Sequence, residues 1–382
     1  MIGLSSEQKL LQDTVRKLHE KHAPRDYIRR LEREHAYPYE LYQAWVDAGL
    51  FGIAFPEKYG GSGGSILDLA VVVYEIAYSS IDFQMAYGGC VFCGLNILRK
   101  GTEEQKSYWL PKLISGERRM SISISEPEAG SDVGAIRTRA IRDDKGFVVN
   151  GQKVWNTGAG ASDLTLNVYA KTDTAAHYRN GISLLLIDND TPGVVFNKLD
   201  MLGRRATGTY EVFFSDVRVD ESRIIGGENK GWDCLLSGLQ VERVVSAAGN
   251  CGAAQACVDL ASAYAKERKQ FGRTIGSNQA IAHMLADMQT ETSAAFALLW
   301  QAAATVSAGE DAFKEITMAK LKASENYVNV ANMGMQIMGG FGYNKEFDME
   351  RHYRDARPST VAAGTSQIQR NLIAGMMGHK VQ

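Results

Sequence analysis

Apolar residues along this chain change their spacing twice. In the first third they recur at helical intervals: Leu10, Leu11, Val15 and Leu18 fall on one face behind a candidate N-cap at Ser5 or Ser6, and residues 66–78 and 103–113 repeat the pattern. Between them, Lys58-Tyr59-Gly60-Gly61-Ser62-Gly63-Gly64 is too rich in glycine to continue a helix and predicts a loop. Around Arg118 the texture becomes short period-two or β-branched runs, at 121–125, 146–149, 164–168, 182–187, 194–196 and 210–214, punctuated by turn residues. From Trp232 onward long Ala-, Met- and Leu-rich helical stretches return, at 242–268, 279–308 and 311–338, apolar nearly all round in places. The expected architecture is α+β and multidomain: an N-terminal helical domain over 1–117, a middle β domain, sheet or barrel, over 118–228, and a C-terminal helical bundle over 229–382.

Composition narrows the function. A chain of 382 residues with 45% apolar content can bury a core without outside staples, and a net charge of −2 with dispersed Lys and Arg leaves no basic stripe for nucleic acid. The N-terminal residues lack a cationic segment followed by an apolar one, and no uninterrupted apolar run of roughly 18 residues occurs, so the expected location is cytoplasmic with no membrane anchor. The five cysteines are odd in number and suit a reducing compartment. Cys90-Val-Phe-Cys93 has the spacing of a redox pair or of half a zinc site, but no second pair or His stands at metal spacing; the expectation is buried thiols on a helix and no metal. No G-x-G-x-x-G opens a helix after a strand and no P-loop occurs, so a nucleotide cofactor would bind another way.

Four separated segments carry more. They are Ile124-Ser125-Glu126-Pro127-Glu128-Ala129-Gly130-Ser131-Asp132; Arg268-Lys-Gln-Phe271-Gly272 with Gln279; Gln336-Ile-Met-Gly339-Gly340-Phe-Gly342-Tyr343, continuing to Glu346, Arg351 and Asp355; and Gly364-Thr365-Ser366-Gln367-Ile368-Gln369. Together and in this order they resemble the acyl-CoA dehydrogenase family over essentially the full length, with one departure, Ser123, where the first pattern usually has Gly, Ala or Cys. The resemblance implies a four-helix bundle at the C-terminus, FAD as cofactor, an acyl-CoA or acyl-carrier-protein thioester as substrate, a homotetramer, and an electron-transfer flavoprotein as a possible partner.

An isoalloxazine needs hydrogen bonds at its polar edge, cover on its face and neutralisation of its pyrophosphate. By resemblance, Ile124 and Ser125 contact the flavin edge, Gly130 and Ser131 lie at phosphate, with Ser131 also toward substrate, and Trp155 and Thr157 flank the ring. Arg268, Phe271, Gln279, Gln336, Gly339 and Gly340 resemble residues that reach the FAD of a neighbouring subunit, and Thr365 and Gln367 complete the set.

Dehydrogenation removes a proton next to the thioester carbonyl and passes hydride from the next carbon to flavin N5, which requires a base. Many family members place a Glu before the Gly-Thr pair, where this chain has Ala363. The isovaleryl-CoA and long-chain branches supply it instead from a Glu-Arg sequence at a helix start, which Glu242-Arg243 matches. A Glu at a helix start also has a plain reading, favourable interaction with the helix dipole. The face below it, Ser246, Gly249 and Ala253, is small and is expected to leave room for flavin and acyl chain. Arg243 is expected to orient the base or meet the CoA side, and Ala363 keeps a backbone N–H that the family aims at the thioester carbonyl.

Ala362 and Ala363 enlarge the site near the reacting carbons, and residues 83–98, a wall segment by resemblance, hold no Lys or Arg, so a short, branched or cyclic neutral acyl group is expected. Other readings on the same scaffold are an oxidase of carrier-tethered aminoacyl groups, an enoyl-thioester reductase, and a desulfinase, the last disfavoured by Glu242. A catalytically idle scaffold is a further alternative, permitted by Ala363 and opposed by Glu242.

Overall fold

A computed structural model of the chain describes residues 3–379. The first third folds into helices α1 (Ser6–His22), α2 (Arg25–Glu34), α3 (Tyr39–Asp47), α4 (Ile66–Ser79), α5 (Ile81–Lys100) and α6 (Glu103–Ile114). Local chemistry sets their ends. Thr102 accepts from the Gln105 backbone N–H while the Gln105 side chain reaches back to the Thr102 N–H, a capping box that starts α6. The glycine-rich segment at 60–64 is a loop, as its composition predicts. Helix α5 is long and apolar enough by composition to cross a membrane, yet most of it is buried in protein, which is how a core helix reads.

The middle of the chain supplies β1 (Arg119–Ser123), β2 (Arg139–Asp143), β3 (Gly146–Thr157), β4 (Leu164–Lys171), β5 (Ile182–Asp188), β6 (Val194–Leu199), β7 (Thr209–Val219) and β8 (Ile224–Ile225). They form one mixed sheet in the order β6-β7-β3-β2-β4-β5-β8, with β1 added parallel to β4. Strand β4 lies between neighbours and is buried along nearly its whole length, and its Leu164, Leu166 and Val168 join Phe147, Val149, Leu185 and Phe214 in one apolar core. The sequence pattern misses β2, because Arg139, Arg142 and Asp143 mask the buried Ala140. The run at 146–149 and the segment 153–157, which by resemblance is a strand carrying Trp155, are one strand, β3, continuous to Thr157 through register shifts near Gly151 and between Lys153 and Asn156.

Then come α7 (Gly231–Glu267), the two-residue strands β9 (Lys269–Gln270) and β10 (Arg273–Thr274), α8 (Gln279–Ser307), α9 (Phe313–Met338), α10 (Gly340–Tyr343), α11 (Met349–Ala356) and α12 (Ser366–Met376). The order helical, β, helical is as expected. The chain forms two compact units: Met1–Lys21, Ile66–Gln84 and Arg243–Gln382 make one, and His22–Ser65 with Met85–Glu242 make the other. In the first, Ala253, Ala254, Cys257 and Ala261 of α7 pack with Ala77, Met288, Tyr327 and Ala331.

Small residues on α7 have a mechanical reason within this unit. A Cβ at Gly252 would stand 2.1 Å from the Tyr74 carbonyl oxygen, so only glycine lets α4 approach so closely. Gly252→Ala is therefore expected to destabilise the protein by roughly 1–3 kcal/mol, the range for overpacking a filled core. Denaturant titration of the flavin-loaded protein checks this, and unchanged stability would contradict it.

Candidate active site

In the β-containing unit the segment Ile124-Ser125 leaves the end of β1, and its geometry is set by a buried ion pair. Glu126 is 7% exposed and Lys153 of β3 is fully buried; their Oε1–Nζ separation is 2.8 Å. The Lys153 Nζ also donates to the Ile124 carbonyl at 2.8 Å, and the Val154 N–H donates to the Ser125 carbonyl at 2.8 Å. Glu126 further accepts from the backbone N–H groups of Arg137 and Thr138. Burial pulls the Lys153 ammonium down to about 8, with Glu126 opposing. At Glu126 burial pushes upward, but Lys153 and the N–H donors outweigh it and hold the carboxyl below its usual value. The pair is therefore charged at neutral pH.

Two residues beyond Lys153, the strand bulges. Trp155 lies in the register shift against β7 and has φ +65°, the left-handed region that a tryptophan rarely adopts. The bulge turns its indole outward, 56% exposed, while Val154 and Asn156 on either side are buried. Large exposed aromatics in strained backbone cluster at ligand sites. Thr157 is half-buried at the strand end, and Gly130 and Ser131 are exposed, with nothing within 4 Å of where a Gly130 side chain would stand.

Glu242 belongs to the same unit, and here the structure corrects the sequence reading. It is not at a helix start: α7 begins at Gly231, three turns earlier, about 16 Å at ~1.5 Å per residue. The helix runs through Gly238, where the Asn96 amide packs against the backbone. Dipole stabilisation fades within the first turn, so it does not explain the carboxylate. Glu242 is half-buried. Burial raises the Cys93 thiol, with Cys90 and then the Glu242 charge adding to it, and burial likewise raises the Tyr169 hydroxyl, with Cys234, Cys93 and last Glu242 adding to it. The Tyr169 hydroxyl accepts from Asn96 at 3.1 Å.

The face below Glu242 is also different from expectation. Gly249 and Ala253 are buried in protein; Gln84 covers Gly249 and Ala253 sits in the helical core, so their smallness admits neighbouring helices, and only Ser246 is left half-buried. Arg243 is buried with its guanidinium 5.3 Å from the Phe313 ring centre, within cation–π range.

The helical unit gathers a second set. A groove of about 460 Å³ is lined by Tyr264, Arg268, Ile337, Gly339, Gly340 and Phe341, among others. Gly339 has φ +59° and ends α9, and nothing lies within 4 Å of a side chain at Gly339 or Gly340. Gln279 and Gln336 are exposed, and Phe271, at the tip of the β9–β10 hairpin with φ +51°, is 99% exposed. The loop before α12 holds Ala362, exposed, and Ala363, half-buried with φ +55°. Thr365 has a structural duty that the sequence reading did not give it: its hydroxyl accepts from the Ile368 N–H and caps α12. Gln367 is exposed on the first turn. All five cysteines are buried and free; Cys90 contacts the Tyr42 hydroxyl and the Met120 backbone, and no metal-ligating cluster occurs among the described residues.

Three family models match in order: acyl-CoA dehydrogenase N-terminal domain over 5–117, middle domain over 121–217 and C-terminal domain over 229–378. The chain belongs to the acyl-CoA dehydrogenase family. It is 38% identical over 375 residues to the mitochondrial 2-methylacyl-CoA dehydrogenase of Solanum tuberosum, covering 97% of this chain and 90% of that one. It is 36% identical over 375 residues to the caffeyl-CoA reductase-Etf complex subunit CarC of Acetobacterium woodii, with 98% of each covered. Its fold matches butyryl-CoA dehydrogenase from Megasphaera elsdenii with a TM-score of 0.94 at 30% identity, covering 99% of this chain and all of the other.

Members of this family are FAD-dependent oxidoreductases acting on CH–CH bonds. The residues present fit that cofactor: an outward indole beside a strand end whose carbonyls are already engaged, and open glycines at a groove that carries Arg268. The sequence reading gave no role to Lys153 or to the carboxylate of Glu126, nor to Lys320 and Gln369, taken up below. Lys320 does leave a signal: it shares a helical face with the buried Ile316, Ser324 and Tyr327.

Because Glu126 is held below the ordinary value of 4.5, the stability it contributes is present above that value and is lost as pH falls through its folded-state pKa. Glu126→Gln should lower the melting temperature at pH 7, and the gap to the unsubstituted protein should close progressively below pH 4.5. Calorimetry across pH tests this; a gap independent of pH would contradict it.

Proposed function

We propose that this flavoenzyme oxidises a short, branched or cyclic neutral acyl thioester to its α,β-unsaturated product, with Glu242 taking the proton from the carbon beside the carbonyl. The observation that carries this reading is Glu242 itself, half-buried in the interior of α7, three turns from its start, in a chain whose other family position for the base is Ala363. FAD, when bound, supplies the hydride acceptor. The chain's own groups divide the remaining work. Glu242 accepts the proton, and the Ala363 N–H donates to the thioester oxygen, where negative charge grows as the proton leaves. Ile124, Ser125, Trp155 and Thr157 hold the flavin; Ser131 and Ala362 border the substrate; Arg243 orients the base.

The thioester carrier is CoA in this reading, with a carrier protein as the second possibility. The reverse direction has support of its own in the similarity to a caffeyl-CoA reductase subunit, whose name also includes an electron-transfer flavoprotein complex. We further propose a homotetramer in which Arg268, Phe271, Gln279 and Gln336 complete a neighbouring subunit's cofactor site. Support comes from Phe271, an apolar side chain 99% exposed at a hairpin tip. Light scattering is expected to give a tetramer, and a flavin-loaded monomer would refute the shared site.

The deciding experiment is anaerobic bleaching of the FAD-loaded protein with isobutyryl-, isovaleryl-, butyryl- and glutaryl-CoA, and with the matching carrier-protein thioesters. Neutral CoA thioesters should bleach it fastest. Glu242→Gln should keep FAD and thioester affinity while slowing flavin reduction on the order of a hundredfold or more, the scale of general-base catalysis. Bleaching of the variant at the unsubstituted rate would remove Glu242 from the mechanism.

A further inference from the structure

Two fully buried polar side chains in the helical unit converge on the loop that carries Ala363. Lys320, in α9, is 0% exposed, and its Nζ donates to the Gly364 carbonyl at 2.7 Å and to the Ser359 carbonyl at 3.2 Å. Gln369, in the first turn of α12, is also 0% exposed, and its Nε2 donates to the Ala363 carbonyl at 3.2 Å and the Gly364 carbonyl at 3.1 Å. Burying an ammonium is costly, and apolar packing would suffice merely to close a loop. The arrangement therefore points to a requirement on the backbone.

That requirement is visible in the dihedrals. Ala363 has φ +55° and Gly364 has φ +80°. An alanine avoids this left-handed conformation unless its surroundings enforce it. Preceding amides are tied back, since the N–H groups of Val361 and Ala362 both donate to the Pro358 carbonyl. The Ala363 N–H, by contrast, has no hydrogen-bond partner among the described residues. With the carbonyls of 363 and 364 anchored and φ fixed at 363, the direction of this free N–H is fixed as well.

We propose that Lys320 and Gln369 are positioning residues for the thioester carbonyl: they clamp the Ala363 and Gly364 carbonyls and so preset the Ala363 N–H as a donor to the substrate oxygen. The inference rests on the role given to that N–H in the proposed function. Its physical content is preorganisation, since a donor aimed before the reaction starts costs no reorientation while charge develops.

The test uses FAD-loaded protein and a ¹³C-carbonyl enoyl-CoA of the acyl group that bleaches it best, read by isotope-edited infrared difference spectroscopy. Bound to the unsubstituted enzyme, the thioester carbonyl band should shift to lower frequency than in water. In Gln369→Leu and Lys320→Met the band should move back toward its solution position. Flavin reduction at saturating thioester should slow about tenfold or more, as expected for a misplaced donor, while thioester affinity changes much less. Lys320→Arg, which keeps N–H donors, should recover part of both signals. Flavin content and melting temperature report folding for each variant, and Gln369→Leu, which leaves the buried ammonium in place, carries the test if Lys320→Met does not fold. A downshifted band in the unsubstituted enzyme that persists undiminished in Gln369→Leu overturns the clamp. No downshift in the unsubstituted enzyme overturns instead the role of the Ala363 N–H.

Discussion

The carboxylate of Glu126 is the interaction on which the Ile124–Ser125 segment and the neighbouring part of β3 depend. It joins three separate stretches: it accepts from the Lys153 ammonium of β3 and from the backbone N–H groups of Arg137 and Thr138 ahead of β2, while its own backbone belongs to the turn after β1. Through Lys153 the same cluster reaches the Ile124 carbonyl. A hydrogen-bonded ion pair with this little solvent holds its geometry, because loosening either partner leaves a buried charge without compensation. The strained Trp155 lies two residues along the chain from this fixed point.

The helical unit follows a similar logic with different groups. Backbone carbonyls of residues 363 and 364, not carboxylates, receive the buried donors there, and the residue thereby held is again a non-glycine with positive φ. In both units a buried lysine is spent on a main-chain oxygen beside a left-handed residue. Neither lysine touches the solvent-facing surface of its site.

The large organisation of this chain was legible in its sequence because periodicity reports it directly: long helical repeats, a stretch of period-two runs, and helices again. The family itself was legible in four linear motifs. The ion pair was not, since Glu126 and Lys153 lie far apart in sequence and meet only when β1 and β3 join the same sheet. Glu242 was found by its neighbour Arg243, but its place in the helix was misjudged, because the Glu-Arg pattern was read as a helix start. In fact Gly238 is where Asn96 packs, so the helix continues through it. Smallness at Gly249 and Ala253 was read as space for ligand, whereas close helix contact uses the same residues. Composition alone does not separate an empty face from a tightly covered one.

Anchoring residue 363 by its carbonyl has a consequence for how such enzymes diverge. The atoms of this loop to which Lys320 and Gln369 donate are main-chain oxygens, which every amino acid possesses. The grip on the loop is thus indifferent to which side chain stands at 363, and it enforces the left-handed φ there through the main chain alone. A substitution at 363 therefore leaves in place the groups that hold the turn, so the side chain there can change while the amide keeps its direction.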